Sequence, residues 1–209
     1  MKRRIAKDLL RIKAVFLRPE EPFIWASGIK SPIYCDNRLT LSYPGVRSDV
    51  EFTLAKLIGE QYPEAEMIMG TSTAGIAHAA IVAHILNLPM GYVRSSKKDH
   101  GRNNRIEGKL DPGMKCVVVE DLISTAKSAI DVALTLREAG AEVLGIASIF
   151  TYDMTKSSNL LKEHNLINHS ATDYDTLIEV AVEEGYITPE QKEKLISFRN
   201  NPEDESWIK

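Results

Sequence analysis

Residues Cys116 to Ser128 read CVVVEDLISTAKS. Four apolar or β-branched residues, Cys116 to Val119, run into two carboxylates, Glu120 and Asp121. A turn bearing hydroxyls follows (Ser124, Thr125, Ser128), and then a helical pattern that stops at Gly140. A short unbroken apolar run reads as a strand buried on both faces, the kind found inside parallel sheets. The acidic pair then stands at the carboxyl end of that strand, where open α/β sheets receive ligands. The turn opens a helix, whose free N–H groups and positive dipole end attract phosphate. Two anions facing sugar hydroxyls beside a phosphate nest suit a ribose 5-phosphate. The same spacing also fits an ordinary strand–loop–helix connection with an acidic turn.

Similar units flank this stretch. Met67–Met69 reads as a strand, followed by GTSTAGIAHAA and a small-residue helix to Leu86. Small residues admit close backbone approach, and hydroxyls with helix N–H groups suit an anion, although close helix packing explains the same pattern. Met90–Val93 is a second strand and Val143–Phe150 a third, set off by Gly140. Strands alternating with helices predict a parallel, right-handed α/β sheet. No glycine-rich dinucleotide fingerprint follows any strand, which argues against a dehydrogenase. Between Arg94 and Arg105 lie Lys97, Lys98, His100 and Arg102, a run too polar to pack, which reads either as an exposed, solvated loop or as a mobile catalytic lid. Residues 14–43, rich in aromatics and prolines, predict short strands near 14–17, 23–26 and 33–37 in a small lid or hood beside the sheet. Residues 2–14 read as a helix, and Ser42-Tyr43-Pro44 starts another through Gln61. From Tyr152 two helices are expected, near 173–184 and 189–198, with a Ser/Thr-rich connector before them. His78 and His84 fall within a helix pattern and read as structural.

The 209 residues suffice for one domain: a hood over about 1–43, an α/β core over about 44–150 and C-terminal helices over about 151–209. A net charge of −3 gives no electrostatic footprint for nucleic acid. The two cysteines, Cys35 and Cys116, form neither a metal nor a redox motif. The basic N-terminus lacks the apolar core of a signal peptide, and no apolar run spans a bilayer. A cytoplasmic protein without membrane or nucleic-acid partners is expected.

Several stretches together resemble the type I phosphoribosyltransferases. VVVEDLIST…S resembles their phosphoribosyl-pyrophosphate (PRPP) motif, GTSTAG their pyrophosphate loop, and Arg94, Lys98, His100 and Gly101 their catalytic RxxxKxHG loop. SGIKSPIYCDNR resembles the signature that lies over a pyrimidine base, through Ser27, Lys30, Ser31, Tyr34, Asp36 and Arg38. A purine-specific relative would lack it. Nearly the whole chain is similar to the orotate phosphoribosyltransferases in their Gram-positive bacterial form. The resemblance implies phosphoribosyl transfer from PRPP to orotate in pyrimidine (UMP) synthesis, with Mg2+ as cofactor and a homodimer sharing its active sites. It assigns catalysis to Arg94, Lys98, His100 and Asp121. It assigns PRPP binding to these four and to Thr71, Ser72, Thr73, Glu120, Leu122, Ile123, Ser124, Thr125, Ala126, Lys127 and Ser128. Orotate binding falls to Lys30, Ser31, Tyr34, Cys35 and Ser124, with Lys30 or Arg38 as the cation for its carboxylate. The metal is expected mainly on PRPP and water, with Asp121 as the one candidate protein ligand. Ala126-Lys127 departs from the pattern, because the family usually has Gly-Gly there. A weakened nest is expected, and a weakened or regulatory PRPP-binding relative is the alternative reading.

Overall fold

The computed structural model describes residues 1–25, 28–95 and 105–208. In chain order it contains helix α1 (Lys2–Arg11), then the short strands β1 (Val15–Leu17), β2 (Phe23–Ile24), β3 (Lys30–Ser31) and β4 (Ile33–Cys35). A 3-10 turn (Asn37–Ser42) leads into α2 (Pro44–Gln61), β5 (Met67–Thr71), α3 (Ala74–Leu86), β6 (Met90–Val93) and β7 (Ile106–Glu107). Next come β8 (Lys115–Ile123), α4 (Lys127–Glu138), β9 (Glu142–Thr151), α5 (Thr155–Glu163), β10 (Asn168–Asp173), α6 (Tyr174–Glu183) and α7 (Pro189–Asn200).

Six strands form the main sheet in the order β10-β9-β8-β5-β6-β7. Every pairing in it is parallel except β6 with β7. The apolar run opens β8, between β5 and β9, and its alternation divides the core in two. Val117 and Val119 join the cluster that holds α1, α2 and α3 side chains, whereas Cys116 and Val118 join the one beneath α4. All four are fully buried, as a strand covered on both faces requires. The strand runs past the acidic pair to Ile123, because β9 stays paired with it that far.

The tail departs from the sequence expectation. Its Ser/Thr-rich connector is α5, and Asn168–Asp173 adds the parallel edge strand β10 to the sheet. Asn168, His169 and Ser170 made that strand look like a polar loop. One side of an edge strand faces solvent, so it lacks the continuous apolar run of β8. The hood consists of two antiparallel strand pairs, β1 with β4 and β2 with β3. Trp25 of the hood lies edge-on to Phe198 of α7 at 5.8 Å and to Tyr152 at 5.5 Å. Phe198 in turn meets Trp207 at 5.7 Å, and Lys194–Glu20 (3.1 Å) and Lys30–Glu205 (2.8 Å) join the same surfaces. The C-terminal segment is therefore part of the hood's support.

Candidate active site

The carboxyl ends of β5 and β8 hold the acidic pair. Glu120 is 5% exposed, and its Oε1 accepts from the Thr71 hydroxyl at 2.5 Å and from the Asp121 backbone N–H at 3.0 Å. Burial, reinforced by the neighbouring Asp121, pushes the Glu120 carboxyl up to about 8, against the stabilising bond from Thr71. Asp121 is only half-buried, so the two acids differ in exposure: one is enclosed and anchored on Thr71, the other partly open to solvent. Gly75 makes the close approach possible, because a Cβ there would lie 2.5 Å from the Val119 carbonyl oxygen. Thr71, assigned to PRPP from the sequence, is 1% exposed, and its hydroxyl orients Glu120. Ser72 donates to the Val93 carbonyl at 2.6 Å and is joined to the exposed Thr73 by a cis peptide. Thr73 directly precedes α3, so its backbone and hydroxyl border that helix's free N–H groups.

The turn expected to hold phosphate follows directly. Leu122 and Ile123 turn their side chains to the core, and the Ile123 carbonyl accepts from Tyr152 N–H at 2.9 Å, so these residues shape the turn. Ser124 is half-buried, while Thr125, Lys127 and Ser128 are exposed at the mouth. Helix α4 starts at Lys127, directly after Ala126, which has φ 63° and ψ 0°. That is the left-handed conformation glycine adopts without cost. The alanine therefore keeps the glycine-like bend, and its methyl is packed away at 4% exposure.

Arg94 sits at the end of β6, its Nη1 3.8 Å from Glu107. That nitrogen is buried and has no hydrogen-bond partner among the described residues, which leaves it able to donate to an anion. Arg105, counted with the cationic run, serves a different purpose. Its Nε donates to the Arg94 carbonyl at 2.8 Å, and its guanidinium pairs with Asp131 on α4 and reaches Thr135 at 3.1 Å. This ties the start of β7 to the phosphate-turn helix. Lys98 and His100 lie outside the described residues.

The residues expected to face the base are partly committed to the hood itself. Ser31 is fully buried, and its hydroxyl is engaged with Ile33 at 2.8 Å, a turn-forming contact. Lys30 Nζ bonds Glu205, and Arg38 forms a bidentate pair with Asp36 at 2.6 and 2.9 Å. Both candidate cations are thus engaged, but in exposed pairs worth little that a carboxylate ligand can displace. Tyr34 presents a ring 42% exposed, stacked at a tilt on Phe23 at 5.6 Å. Cys35 donates to Asn37 Oδ1 at 3.3 Å, and burial, then Asp121 and Asp36, hold its thiol well above the usual range. Asn37 donates to the Asp121 carbonyl at 2.7 Å, a link the sequence reading missed. No spacing signal marks a contact between residues 84 positions apart.

The donors suit a metal held mostly by its ligand. Among the described residues no cluster of three or more His, Cys, Asp or Glu is assembled for one. Asp121 supplies a half-buried carboxylate beside the enclosed Glu120, the kind of oxygen donor Mg2+ accepts alongside phosphate and water. A cavity of about 800 Å3 lies elsewhere, along the outer edge of β10 between α2 and α5, and neither Glu120, Asp121 nor residues 124–128 line it.

An acidic strand end, a phosphate turn and a covering hood are the parts of a phosphoribosyl transferase domain, and that family matches residues 42–183. Over 209 residues the chain is 56% identical to the orotate phosphoribosyltransferase of Bacillus subtilis, covering 100% of this chain and 97% of the relative. The crystal structure of orotate phosphoribosyltransferase from Aeropyrum pernix superposes with a TM-score of 0.76 at 27% identity, over 88% of this chain and 99% of that one. The Leishmania donovani UMP synthase structure gives 0.81 at 25% identity, over 95% of this chain and 42% of the other. The chain belongs to the orotate phosphoribosyltransferases.

Proposed function

We propose that this protein transfers the 5-phosphoribosyl group of PRPP to orotate, forming orotidine 5′-monophosphate and pyrophosphate, a step in pyrimidine synthesis. The observation that carries the reading is the continuous run from acidic pair to left-handed phosphate turn at the end of β8, with the hood bonded to Asp121. The base nitrogen bonds to C1 as the bond from C1 to the pyrophosphate oxygen breaks. Bond breaking runs ahead, because the ring oxygen stabilises positive charge at C1. The protein's contribution is placement of reactants and charge. Asp121 faces the ribose hydroxyls and balances the developing cation, with the enclosed Glu120 beside it. The backbone and hydroxyls of residues 124–128 hold the 5′-phosphate at the start of α4. Arg94, whose Nη1 has no hydrogen bond among the described residues, and Lys98 with His100 offset charge on the leaving pyrophosphate. Bound with PRPP, Mg2+ would supply further neutralisation of the pyrophosphate, with Asp121 as its protein-side oxygen. Tyr34 offers a ring to the flat base, and Lys30 or Arg38 a cation to its carboxylate.

The test is loss of orotate absorbance with PRPP and Mg2+, against adenine, guanine and uracil. Turnover of orotate alone is expected; PRPP binding without turnover would instead indicate a regulatory relative. Omission of Mg2+ with a chelator is expected to abolish turnover. A cytoplasmic homodimer with shared sites is part of the proposal. Phe52 (62% exposed), Tyr43 (46%) and Leu39 (37%) leave apolar surface on α2 and the preceding turn, as a subunit contact needs. Inactive Lys98→Ala and Asp121→Asn chains should regain activity when co-assembled, and a fully active monomer would refute the sharing.

A further inference from the structure

We infer that Asn37 is a positioning residue that fixes Asp121 from the hood and so ties the base side of the site to the ribose side. The inference rests on the proposed transfer to orotate only for its kinetic readout. Strand β5 pairs with β8 no further than Val119, while β9 remains paired as far as Ile123. The chain of β5 turns away at Thr71 into the Ser72–Thr73 peptide and α3. The main-chain groups of Asp121 are then satisfied by side chains. Its N–H is taken by the Glu120 carboxylate at 3.0 Å and its carbonyl by the Asn37 amide at 2.7 Å. The Asn37 amide supplies a hydrogen bond beyond the point where β5 pairing ends.

Its own orientation is determined by chemistry. Asn37 is fully buried, and a carbonyl oxygen can only accept, so Nδ2 must face Asp121. That leaves Oδ1 to accept from the Cys35 thiol at 3.3 Å. The Asn37 backbone is held in turn, its carbonyl accepting from Thr40 Oγ1 at 2.7 Å inside the 3-10 turn. A buried amide satisfied at both ends has one orientation, and it transmits that order to the peptide carrying the Asp121 carboxylate. Cys35 follows Tyr34 in β4, so one side chain joins the segment facing the base to the one facing the ribose. Without the donor the Asp121 carbonyl loses this partner, and the peptide is free to rotate its carboxylate away from the ribose hydroxyls.

Two substitutions test this in the full-length protein, each measured well below its melting midpoint. Asn37→Leu keeps the volume and removes the donor; at least a tenfold fall in kcat/KM for PRPP is expected. Asn37→Asp can donate only when its carboxyl is neutral, and burial raises that group's pKa toward neutrality. Its kcat/KM relative to the unmodified protein is therefore expected to rise about tenfold from pH 9 to pH 6. An Asn37 that merely filled space would lower the melting midpoints yet leave that ratio flat. A flat ratio, or an Asn37→Leu protein with the unmodified kcat/KM, overturns the inference. Should Asn37→Leu not fold, the pH series on Asn37→Asp decides alone. Turnover of orotate by the unmodified protein tests the proposed function separately. Calorimetric titration of the unmodified and Asn37→Leu proteins with PRPP reads the positioning even where no turnover occurs.

Discussion

Replacing Ala126 by glycine tests how the phosphate turn tolerates its departure from Gly-Gly. The residue holds φ 63°, which costs an L-residue roughly 1–2 kcal/mol. Glycine removes that strain but adds about 0.5–1 kcal/mol of unfolded-chain entropy. It also gives up a methyl group 4% exposed, worth about 0.8 kcal/mol. The opposing effects nearly cancel, so stability should change by less than about 1 kcal/mol, or roughly 2–4 °C in melting midpoint at this size. Affinity should change even less. The bend is already present without ligand, so its strain is common to free and bound states and drops out of the binding difference. Calorimetric titration with PRPP and Mg2+ should give dissociation constants for Ala126→Gly and the unmodified protein within about twofold. A weakened nest is the expectation from sequence; the left-handed φ of Ala126 leads instead to an expectation of nearly unchanged affinity. Lys127 contributes separately. It is exposed at the first position of α4, with no partner among the described residues. Lys127→Ala should raise the PRPP dissociation constant about fivefold, the loss of ~1 kcal/mol of exposed charge pairing, and the effect should shrink with added salt. A gain of tenfold or more in PRPP affinity from Ala126→Gly would refute the reasoning, because it would mean that the ligand demands a bend alanine had not reached.

The enclosed acid predicts a pH dependence. Glu120 titrates near 8 when folded against an ordinary 4.5, so the folded state retains a proton that the unfolded chain loses. That stabilising contribution is full below about pH 4.5 and is lost as pH rises through about 8; the fall in melting midpoint across this window should shrink in Glu120→Gln. Lys98→Ala and His100→Ala should each lower turnover by orders of magnitude, through lost stabilisation of the leaving charge, and leave the melting midpoint nearly unchanged. The His78–Glu51 pair, 2.5 Å apart and sealed between α2 and α3, should behave in the opposite way. His78→Ala should cost about 3–5 kcal/mol in denaturant unfolding by stranding a buried acid, and the double replacement His78→Leu/Glu51→Leu should cost less than the single one.

Local chemistry determined much of this protein in advance. The apolar run at Cys116–Val119 has to be a strand covered on both faces, and Pro44 and Gly140 mark helix boundaries whatever surrounds them. The acidic pair and the hydroxyl turn are adjacent in the chain, so their juxtaposition required no folding to be recognised. What only the tertiary structure decided are pairings between distant segments. Strand β10 is too polar to announce itself, and becomes a strand because β9 offers it an edge. Thr71 and Ser31 look like ligand hydroxyls in sequence, yet packing turns one to Glu120 and the other to Ile33. Arg105 belongs by composition to the cationic run and by geometry to Asp131 on α4. Asn37 reaches Asp121 because β5 pairs no further than Val119 and the hood folds back over the end of β8. A sequence carries the periodicity of its own backbone, but the partner of a buried polar group is whichever segment the fold brings within about 3 Å.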